Sequence, residues 1–196
     1  MDVDEGMPSH SMYYLGLLAS LGWELTSKQR MEAPYDVWDR LAKAPLPGGC
    51  CESSLDASRV EEVVHVLCEA YRRPEWDEQR REEERRSWTK TMDPEVLGTT
   101  VAVERQGRII GVCLRGVSSL GPGIVEMAVL PEEHRRGVGR YLLYRAMESG
   151  RTANVQGKPY RLSVDRDNLG AIALYAAMGY RRSQVLTVAR WVKDRP

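Results

Sequence analysis

The sequence predicts an α/β protein in which a mixed β-sheet is covered by helices. One observation is the alternation of apolar and polar residues over residues 99–117, which turns at Gln106 and Gly107 as a β-hairpin does. Another is the order of the later segments, where apolar runs of strand length alternate with amphipathic helical patterns over residues 124–193. Antiparallel strands followed by strand–helix units indicate a mixed sheet flanked by helices.

The first 49 residues are predicted to form a helical extension that precedes the main domain. Residues 9–22 have a helical pattern, and Pro34 stands where proline opens a second short helix. The PLPGG stretch at residues 45–49 is typical of a break between structural units. We therefore place the main domain at residues 50–196, within a chain of 196 residues that suits one domain with an appended segment.

The first half of this domain is predicted to contain a short strand, two helices and the hairpin. Residues 50–54 have strand character, and residues 59–71 carry an apolar stripe at helical spacing. Residues 75–86 are almost wholly charged with mixed sign, which favours a solvated helix with internal ion pairs over a substrate-recognition surface. Gly111, inside the second hairpin strand, indicates a bulge or a close approach of another segment.

The second half is predicted to alternate strands with helices. The apolar run IVEMAVL is a strand, and a helix follows over about residues 137–148. The segment PYRLSVD is a further strand, residues 168–178 form a helix, and SQVLTVARWVK is the last strand.

Composition excludes several classes of function. The 28 basic and 28 acidic residues cancel, which counts against a protein that coats nucleic acid. Four cysteines without CxxC spacing, and only three histidines, predict no metal site and reduced thiols in a cytoplasmic protein. The apolar run at residues 13–23 follows acidic residues and is too short to span a bilayer, so we expect no membrane association.

A glycine-rich turn between the IVEMAVL strand and the next helix indicates an anion-binding site. Gly137 and Gly139 stand among three arginines, Arg135, Arg136 and Arg140. The amides at a helix N-terminus have no acceptor within the helix, and the helix dipole places partial positive charge at the same point. A phosphate or pyrophosphate is the expected ligand. The pattern matches neither a P-loop nor GxGxxG, so two familiar phosphate-binding loops are excluded.

Two motifs together resemble those of the GNAT superfamily of acyl-CoA-dependent N-acetyltransferases. Residues 134–139, HRRGVG, are similar to the family's loop, although His134 stands where the family usually has glutamine or arginine. Residues 168–180 are similar to the later block N-x-x-A-x-x-L-Y-x-x-x-G-F/Y. The resemblance covers about residues 50–196, and it implies a GNAT-like fold in which antiparallel strands precede a splayed parallel pair.

The resemblance implies acetyl-CoA as the acyl donor and assigns the residues that bind it. The pyrophosphate would lie on the loop amides, and the pantetheine arm would pair with the backbone of the IVEMAVL strand. Amides of that strand would also polarise the thioester carbonyl, and Asn168 would hydrogen-bond the pantetheine or the strand opening. The predicted donor-binding residues are Met127, Ala128, Val129, His134, Arg135, Arg136, Gly137, Val138, Gly139, Arg140 and Asn168.

The resemblance also implies direct attack of an amine on the thioester. Tyr175 is the family's usual acid for the departing thiolate, and a purely structural ring is the alternative. Glu126, a carboxylate in an otherwise apolar strand, is our candidate for the base that takes the amine proton through water, and a solvent-facing side chain is the alternative. Asp165 and Asp167 are weaker candidates for the base, and turn or cap positions are the favoured interpretation for both. Ribosomal-protein N-terminal acetyltransferases carry a glutamate where this chain has Ser163.

The predicted reaction is N-acetylation of a primary amine on a small molecule, a protein N-terminus or a lysine. A non-catalytic acyl-CoA sensor on the same fold is an alternative from another class. Another acyl donor, or an amino-acid transfer, is an alternative among enzymes. A toxin that acetylates charged tRNA should be basic, which the balanced charge counts against. Dimers are common in the family, so a homodimer is compatible with the resemblance.

Overall fold

The fold is organised by one seven-stranded sheet. The computed structural model describes residues 19–21, 23–118, 121–153 and 157–191. The strands are β1 (Trp23–Ala33), β2 (Cys50–Ser53), β3 (Val101–Arg105), β4 (Arg108–Ser118), β5 (Gly121–Val129), β6 (Tyr160–Asp165) and β7 (Arg181–Trp191). Their order in the sheet is β2-β3-β4-β5-β6-β1-β7.

Five helices whose bounds lie within the described residues flank this sheet. They are α1 (Val60–Ala70), α2 (Glu78–Thr91), α3 (Pro94–Thr99), α4 (Val138–Ala153) and α5 (Leu169–Ala177), and short 3-10 turns occupy Tyr35–Arg40, Ala57–Arg59 and Pro131–Glu133. Asp77 and Asp93 cap α2 and α3, because each carboxylate accepts a hydrogen bond from an amide in the first turn. No helix among the described residues has the length and apolar character needed to cross a membrane.

The sheet opens between β5 and β6. Neighbouring strands are antiparallel except for this pair, which is parallel and is joined in register at Gly123 and Arg161. β5 is paired with β4 as far as Val129, whereas β6 is paired with β1, which lies on its other side. The two strands therefore splay apart towards their C-terminal ends, where the loops that enter α4 and α5 begin.

The apolar core lies in two clusters that meet at α4. One joins α1 to the hairpin, β5 and the first turns of α4, and Leu67, Val103 and Leu142 are fully buried in it. The other joins β1 and β6 to α4 and α5, with Met147 and Met178 fully buried. Because residues of β5 belong to the first cluster and pack against the second, the core holds this strand in place beside the opening.

The elements predicted for the main domain are confirmed. The hairpin turns at Gln106 and Gly107, both with positive φ, as its sequence predicts. The short strand at Cys50, the amphipathic α1, the charged α2 and the strand–helix alternation from β5 to β7 all form. The predicted mixed α/β sheet with antiparallel strands followed by a splayed parallel pair is therefore present.

The prediction that residues 1–49 are helical is wrong for residues 23–33, which form β1. This strand pairs antiparallel with β6 on one side and with β7 on the other. The segment has few apolar residues, so local periodicity did not indicate a strand. Its stability comes from two partners that lie far away in the sequence.

The rest of the N-terminal prediction has a mixed outcome. Pro34 does precede a short helix, which is a 3-10 turn at Tyr35–Arg40. Residues 9–18 of the predicted first helix lie outside the described residues, and Ala19 and Ser20 are helical. The domain boundary at residues 49 and 50 stays a prediction.

Gly111 shows the close approach that its position in β4 predicts. A Cβ atom there would lie 2.9 Å from Val138 Cγ1, 3.0 Å from Leu142 Cδ1 and 3.3 Å from the Ala128 carbonyl oxygen. We expect Gly111→Ala to lower the free energy of unfolding by about 1–3 kcal/mol, because a methyl group would overpack the contact between β4 and α4. Urea denaturation of both proteins measures this difference.

Gly98→Ala is the matched control for that substitution. Gly98 lies in α3, and a Cβ atom there would meet no other heavy atom within 4 Å. We expect the free energy of unfolding to stay constant or to rise by up to about 1 kcal/mol, since alanine is the better helix former. Equal stabilities of the two alanine variants would contradict the close-packing interpretation.

Candidate active site

A cleft of ≈ 590 Å³ lies where β5 and β6 part. Its walls are formed by both strands, the loop before α4, the first two turns of α5 and the end of α1. A volume of this size is typical of small-molecule and cofactor sites. The splayed pair of strands therefore opens into a cavity large enough for a cofactor.

The loop that enters α4 forms one end of this cleft. Arg135 and Gly137 have φ values of 62° and 88°, so the backbone turns sharply before the helix begins at Val138. The Tyr141 amide donates to the Gly137 carbonyl at 3.0 Å, which makes Gly137 the residue that caps α4. The three preceding amides of the first turn have no acceptor within the helix. They and the helix dipole present positive charge to the cleft.

Gly139 explains why the loop carries a second glycine. A Cβ atom at this position would lie 3.3 Å from Leu174 Cδ2 of α5 and 3.8 Å from Val129 Cγ2 of β5. A larger side chain would therefore fill the space between the start of α4 and the cleft. The residues present fit a phosphate group that approaches the backbone closely.

The predicted loop residues do not all reach the cleft. His134, Arg135, Gly137, Gly139 and Arg140 line it. By contrast, Val138 is not part of the lining, and its side chain is buried in the core. The guanidinium of Arg136 lies 3.5 Å from the Glu133 carboxylate and is not part of the lining.

An ion pair between Arg105 and Glu133 holds the loop, and sequence analysis did not single out either residue, although Glu133 also lines the cleft. Nη1 of Arg105 donates to both oxygens of the Glu133 carboxylate, at 2.9 and 2.6 Å. Glu133 is 8% exposed, so solvent screens this ion pair little. The pair ties the end of β3 to the 3-10 turn that immediately precedes His134.

His134 contacts the strand instead of projecting freely. Its Nε2 atom lies 3.0 Å from the carbonyl oxygen of Val129. A ring N–H at this position donates to that carbonyl and fixes the loop to the end of β5. The residue that departs from the family pattern therefore has a structural contact of its own in this chain.

Met127, Ala128 and Val129 lie along the open edge of the cleft. They pair with Cys113, Val112 and Gly111 of β4. On the other side, β5 pairs with β6 at Gly123, which is near the N-terminal end of β5. Backbone groups of β5 on the side of β6 therefore face the cleft. This arrangement suits an extended ligand that pairs with the strand as a further strand would.

Glu126 projects from β5 into the cleft and is partly buried. Its Oε2 atom accepts a hydrogen bond from the Tyr71 hydroxyl at 2.8 Å. Burial raises the pKa of the Glu126 carboxyl, and the Tyr71 hydrogen bond and the Lys28 ammonium oppose that increase. A carboxylate with a raised pKa is a better proton acceptor near neutral pH than an ordinary glutamate.

Tyr71 is one of the cleft residues to which the sequence analysis gave no role in the site. It follows α1, its ring stacks on Trp88 with centroids 6.2 Å apart, and its hydroxyl also lies 3.0 Å from the Met127 carbonyl oxygen. Burial and the Glu126 carboxylate raise the pKa of Tyr71, so the phenol stays protonated and donates. Its place at the end of the apolar stripe predicted a core residue, and the polar contact depends on how α1 packs against β5.

Tyr175 lies in α5 on the wall of the cleft. Its side chain is 7% exposed, and its ring centroid lies 6.0 Å from that of Tyr180. Burial raises the pKa of the Tyr175 phenol, so it remains a hydroxyl donor at neutral and mildly alkaline pH. Both Tyr175 and Glu126, the two residues predicted to move protons, therefore line the same cleft.

Asn168 caps α5 and also lines the cleft. Its side-chain oxygen accepts a hydrogen bond from the Ala171 amide at 3.1 Å, as an N-cap residue does. The side chain is thereby held at the mouth of the opening, across the splayed strands from the loop before α4. Its predicted contact with the donor stays a prediction.

The family of the chain follows from a comparison with known families. The model described as acetyltransferase (GNAT) family matches residues 60–180, which is more than half of the chain. The protein belongs to the GNAT family. Membership supports an acyltransferase that takes its acyl group from acyl-CoA, and acetyl-CoA is the donor typical of the family.

Solved structures share the fold of this GNAT protein. A conserved protein from Staphylococcus epidermidis aligns over 95% of this chain and 68% of its own, at 15% identity and a TM-score of 0.64. A GCN5-related N-acetyltransferase from Sphaerobacter thermophilus aligns over 93% and 56%, at 18% identity and 0.62. The ribosomal-protein-S18-alanine N-acetyltransferase of Escherichia coli aligns over 72% and 92%, at 19% identity and 0.55.

These likenesses establish the fold and leave the acceptor open. The first two structures are longer than this GNAT protein, which spans 68% and 56% of them. No curated protein sequence matches the chain significantly. The chemistry of the acceptor has to be argued from the cleft itself.

Proposed function

We propose that the protein transfers an acetyl group from acetyl-CoA to a primary amine by direct attack of the amine on the thioester. One observation carries the proposal: the glycine loop, the open edge of β5, Glu126 and Tyr175 all line a single cleft. The loop would hold the pyrophosphate, and the edge of β5 would bind the pantetheine arm. The thioester would then lie between the candidate base and the candidate acid.

The two proton transfers are assigned by the surroundings of each residue. Glu126 would take the proton of the incoming ammonium through water, since burial raises its pKa towards the working pH. Tyr175 would donate a proton to the departing CoA thiolate, since burial keeps its phenol protonated. Cys113 is fully buried in the core and its pKa is raised to about 12, so this thiol is not proposed as a covalent nucleophile.

Thiol release in the presence of amines tests the proposal. Calorimetry with acetyl-CoA measures donor binding, and a thiol reagent measures CoA release across amines of different charge and size. We expect binding, together with CoA release that depends on the amine. Binding without release for any amine would instead favour the acyl-CoA sensor, and no binding would contradict both functions.

Arg105 gives a specific test of the loop. We expect Arg105→Met to raise KM for acetyl-CoA severalfold while kcat at saturating donor stays constant. The physical reason is that Glu133 loses its bidentate partner, so the loop before α4 is no longer fixed in the conformation that aims its amides at the cleft. Steady-state kinetics with varied acetyl-CoA measures the two constants separately.

Arg108→Met is the matched control. Arg108 begins β4 and faces Glu132 at 3.7 Å, and both side chains are 57% exposed. Exposed pairs of this kind contribute little, so the substitution should leave KM and kcat unchanged. An equal rise in KM for both variants would mean that loss of positive charge, not loop position, is what the kinetics report.

A further inference from the structure

The outward face of β1 forms a polar surface that adjoins the cleft. Alternation buries Gln29, Met31 and Ala33 against the core and turns Lys28 and Arg30 to the other face. Of these outward residues, Lys28 lines the cleft together with Ser163 and Asp165 of β6. A strand outside the matched part of the family therefore supplies charged groups beside the predicted site of transfer.

Charges on this face are paired on either side of Arg30. Lys28 stands opposite Asp165 in the register of β1 and β6, with their charged atoms 3.6 Å apart. Glu32 stands opposite Arg161, at 2.8 Å. Each of these two pairs has no net charge, so the outward face of β1 is neutral on both sides of Arg30.

Arg30 is different, because it stands opposite the neutral Ser163. Its guanidinium donates to the Gln184 side-chain oxygen at 3.3 Å, and within the described residues it has no carboxylate within ion-pair distance. Ser163 and Gln184 are both exposed, so the guanidinium is accessible from solvent. A guanidinium in such a place suits a carboxylate, which it binds with two parallel hydrogen bonds.

The Lys28 pair is also able to accept a ligand. Its side chains are 37% and 41% exposed and the ions are 3.6 Å apart, so the pair contributes little to stability. Lys28 is close enough to Glu126 for its charge to lower the pKa of that carboxyl, and the charge of Asp165 raises the same pKa. The cleft thus holds the Glu126 carboxylate and the Lys28–Asp165 pair, and Arg30 adds an unbalanced positive charge beside the cleft on the same face of β1.

From this charge arrangement, and on the basis of the proposed function, we propose that the acceptor is an amine that also carries a carboxylate, which Lys28 and Arg30 bind. The amine would lie at Glu126, on β5, and the carboxylate over β1, two strands away. β6 and β1 are adjacent strands about 4.8 Å apart, and the opening between β5 and β6 adds to that distance, so the two groups of the acceptor would be separated by more than about 5 Å. An ω-amino acid with several methylene groups has that span, whereas glycine does not.

A pair of compounds of equal length tests the proposal. Binding of ε-aminocaproate and of its neutral amide to the CoA-saturated protein is measured by calorimetry, and CoA release from acetyl-CoA is measured with both. We expect the acid to bind roughly tenfold more tightly than the amide, as ion-paired hydrogen bonds allow, and to be the better acceptor. We also expect the acid to bind more tightly than glycine.

Substitutions test whether Lys28 and Arg30 cause the preference for the acid over its amide. Arg30→Gln and Lys28→Gln should each reduce this preference, and Arg30→Glu should reverse it in favour of the amide. Arg86→Gln, which alters a 70% exposed arginine on α2, should leave it unchanged. Thermal unfolding of each variant identifies any loss of fold, and the two glutamine variants replace outward side chains only.

The outcomes separate this inference from the proposed function. Equal binding of acid and amide, or a preference that survives both glutamine variants, overturns the inference while CoA release still supports acetyl transfer. If the acid binds selectively through Arg30 and Lys28 but no amine releases CoA, acetyl transfer fails and the anion site stands. Selective binding with release supports both.

Discussion

Glu126→Gln is expected to lower kcat by roughly a hundredfold or more while acetyl-CoA still binds, as the loss of a general base does. Glutamine is nearly the same size, and its oxygen can accept the Tyr71 hydrogen bond that the carboxylate accepts at 2.8 Å. It has no basic group to take the proton of the incoming amine. Stopped-flow measurement of CoA release at saturating substrates tests this directly.

The pH dependence of the rate gives a second test of Glu126 as the base. Glu126 must be ionised to act as a base, so wild-type activity should fall as the pH drops through its pKa, which burial raises above the usual value of 4.5. This acidic limb should disappear in Glu126→Gln. As a control, Glu132→Gln removes a 57% exposed carboxylate outside the cleft and should retain both the rate and the limb. A wild-type profile in Glu126→Gln would remove Glu126 as the base.

The same substitution should stabilise the fold at neutral pH. Because burial raises the pKa of Glu126 above its unfolded value, folding favours the protonated form. The stability that this group contributes is present below the unfolded pKa and is lost as the pH rises through the folded pKa. Glutamine stays neutral, so the melting temperature of the variant should exceed that of the wild type at neutral pH, with a smaller difference in acid.

Tyr175→Phe is expected to lower kcat by roughly a hundredfold with little change in KM for acetyl-CoA. The ring is 7% exposed, and phenylalanine preserves its packing against Tyr180 and the core. The variant lacks only the hydroxyl that would protonate the thiolate. Steady-state kinetics with varied acetyl-CoA separates this loss from a loss of binding, because an effect on the transition state lowers kcat and kcat/KM together.

Tyr180→Phe controls for loss of a buried hydroxyl. Its ring is 2% exposed, and within the described residues its hydroxyl has no hydrogen-bond partner. It lies beside Tyr175 but not in the lining of the main cleft. We expect its kcat to stay at the wild-type value. If both phenylalanine variants are equally slow, the rate reports packing of α5, and the acid assignment for Tyr175 fails.

The sequence was informative where function depends on contiguous residues. The turn at Gly137 and Gly139, its position before a helix and the later block with Tyr175 could all be read from local patterns. So could Glu126, because a carboxylate in an apolar strand is conspicuous. The structure brings the loop, the strand and α5 to one cleft, as the order of the motifs implied.

Residues that act through long-range pairing could not be predicted in this way. Lys28 reaches the cleft only because β1 lies between β6 and β7. Tyr71 meets Glu126 only because α1 packs on β5, and Arg105 meets Glu133 only because β3 ends beside the loop. Each of these side chains is an ordinary residue of its own element, and its role depends on a neighbour from another part of the chain.

The position of β1 has a consequence for how the chain acquires its structure. The ribosome synthesises this segment well before both of its neighbours, β6 and β7, which come much later in the chain. Non-local pairing of this kind slows folding, and an unpaired strand is prone to associate with other chains. The part of the sheet around β1 should therefore form only after β6 and β7 have been synthesised, and its assembly should be the step most sensitive to chaperones and temperature.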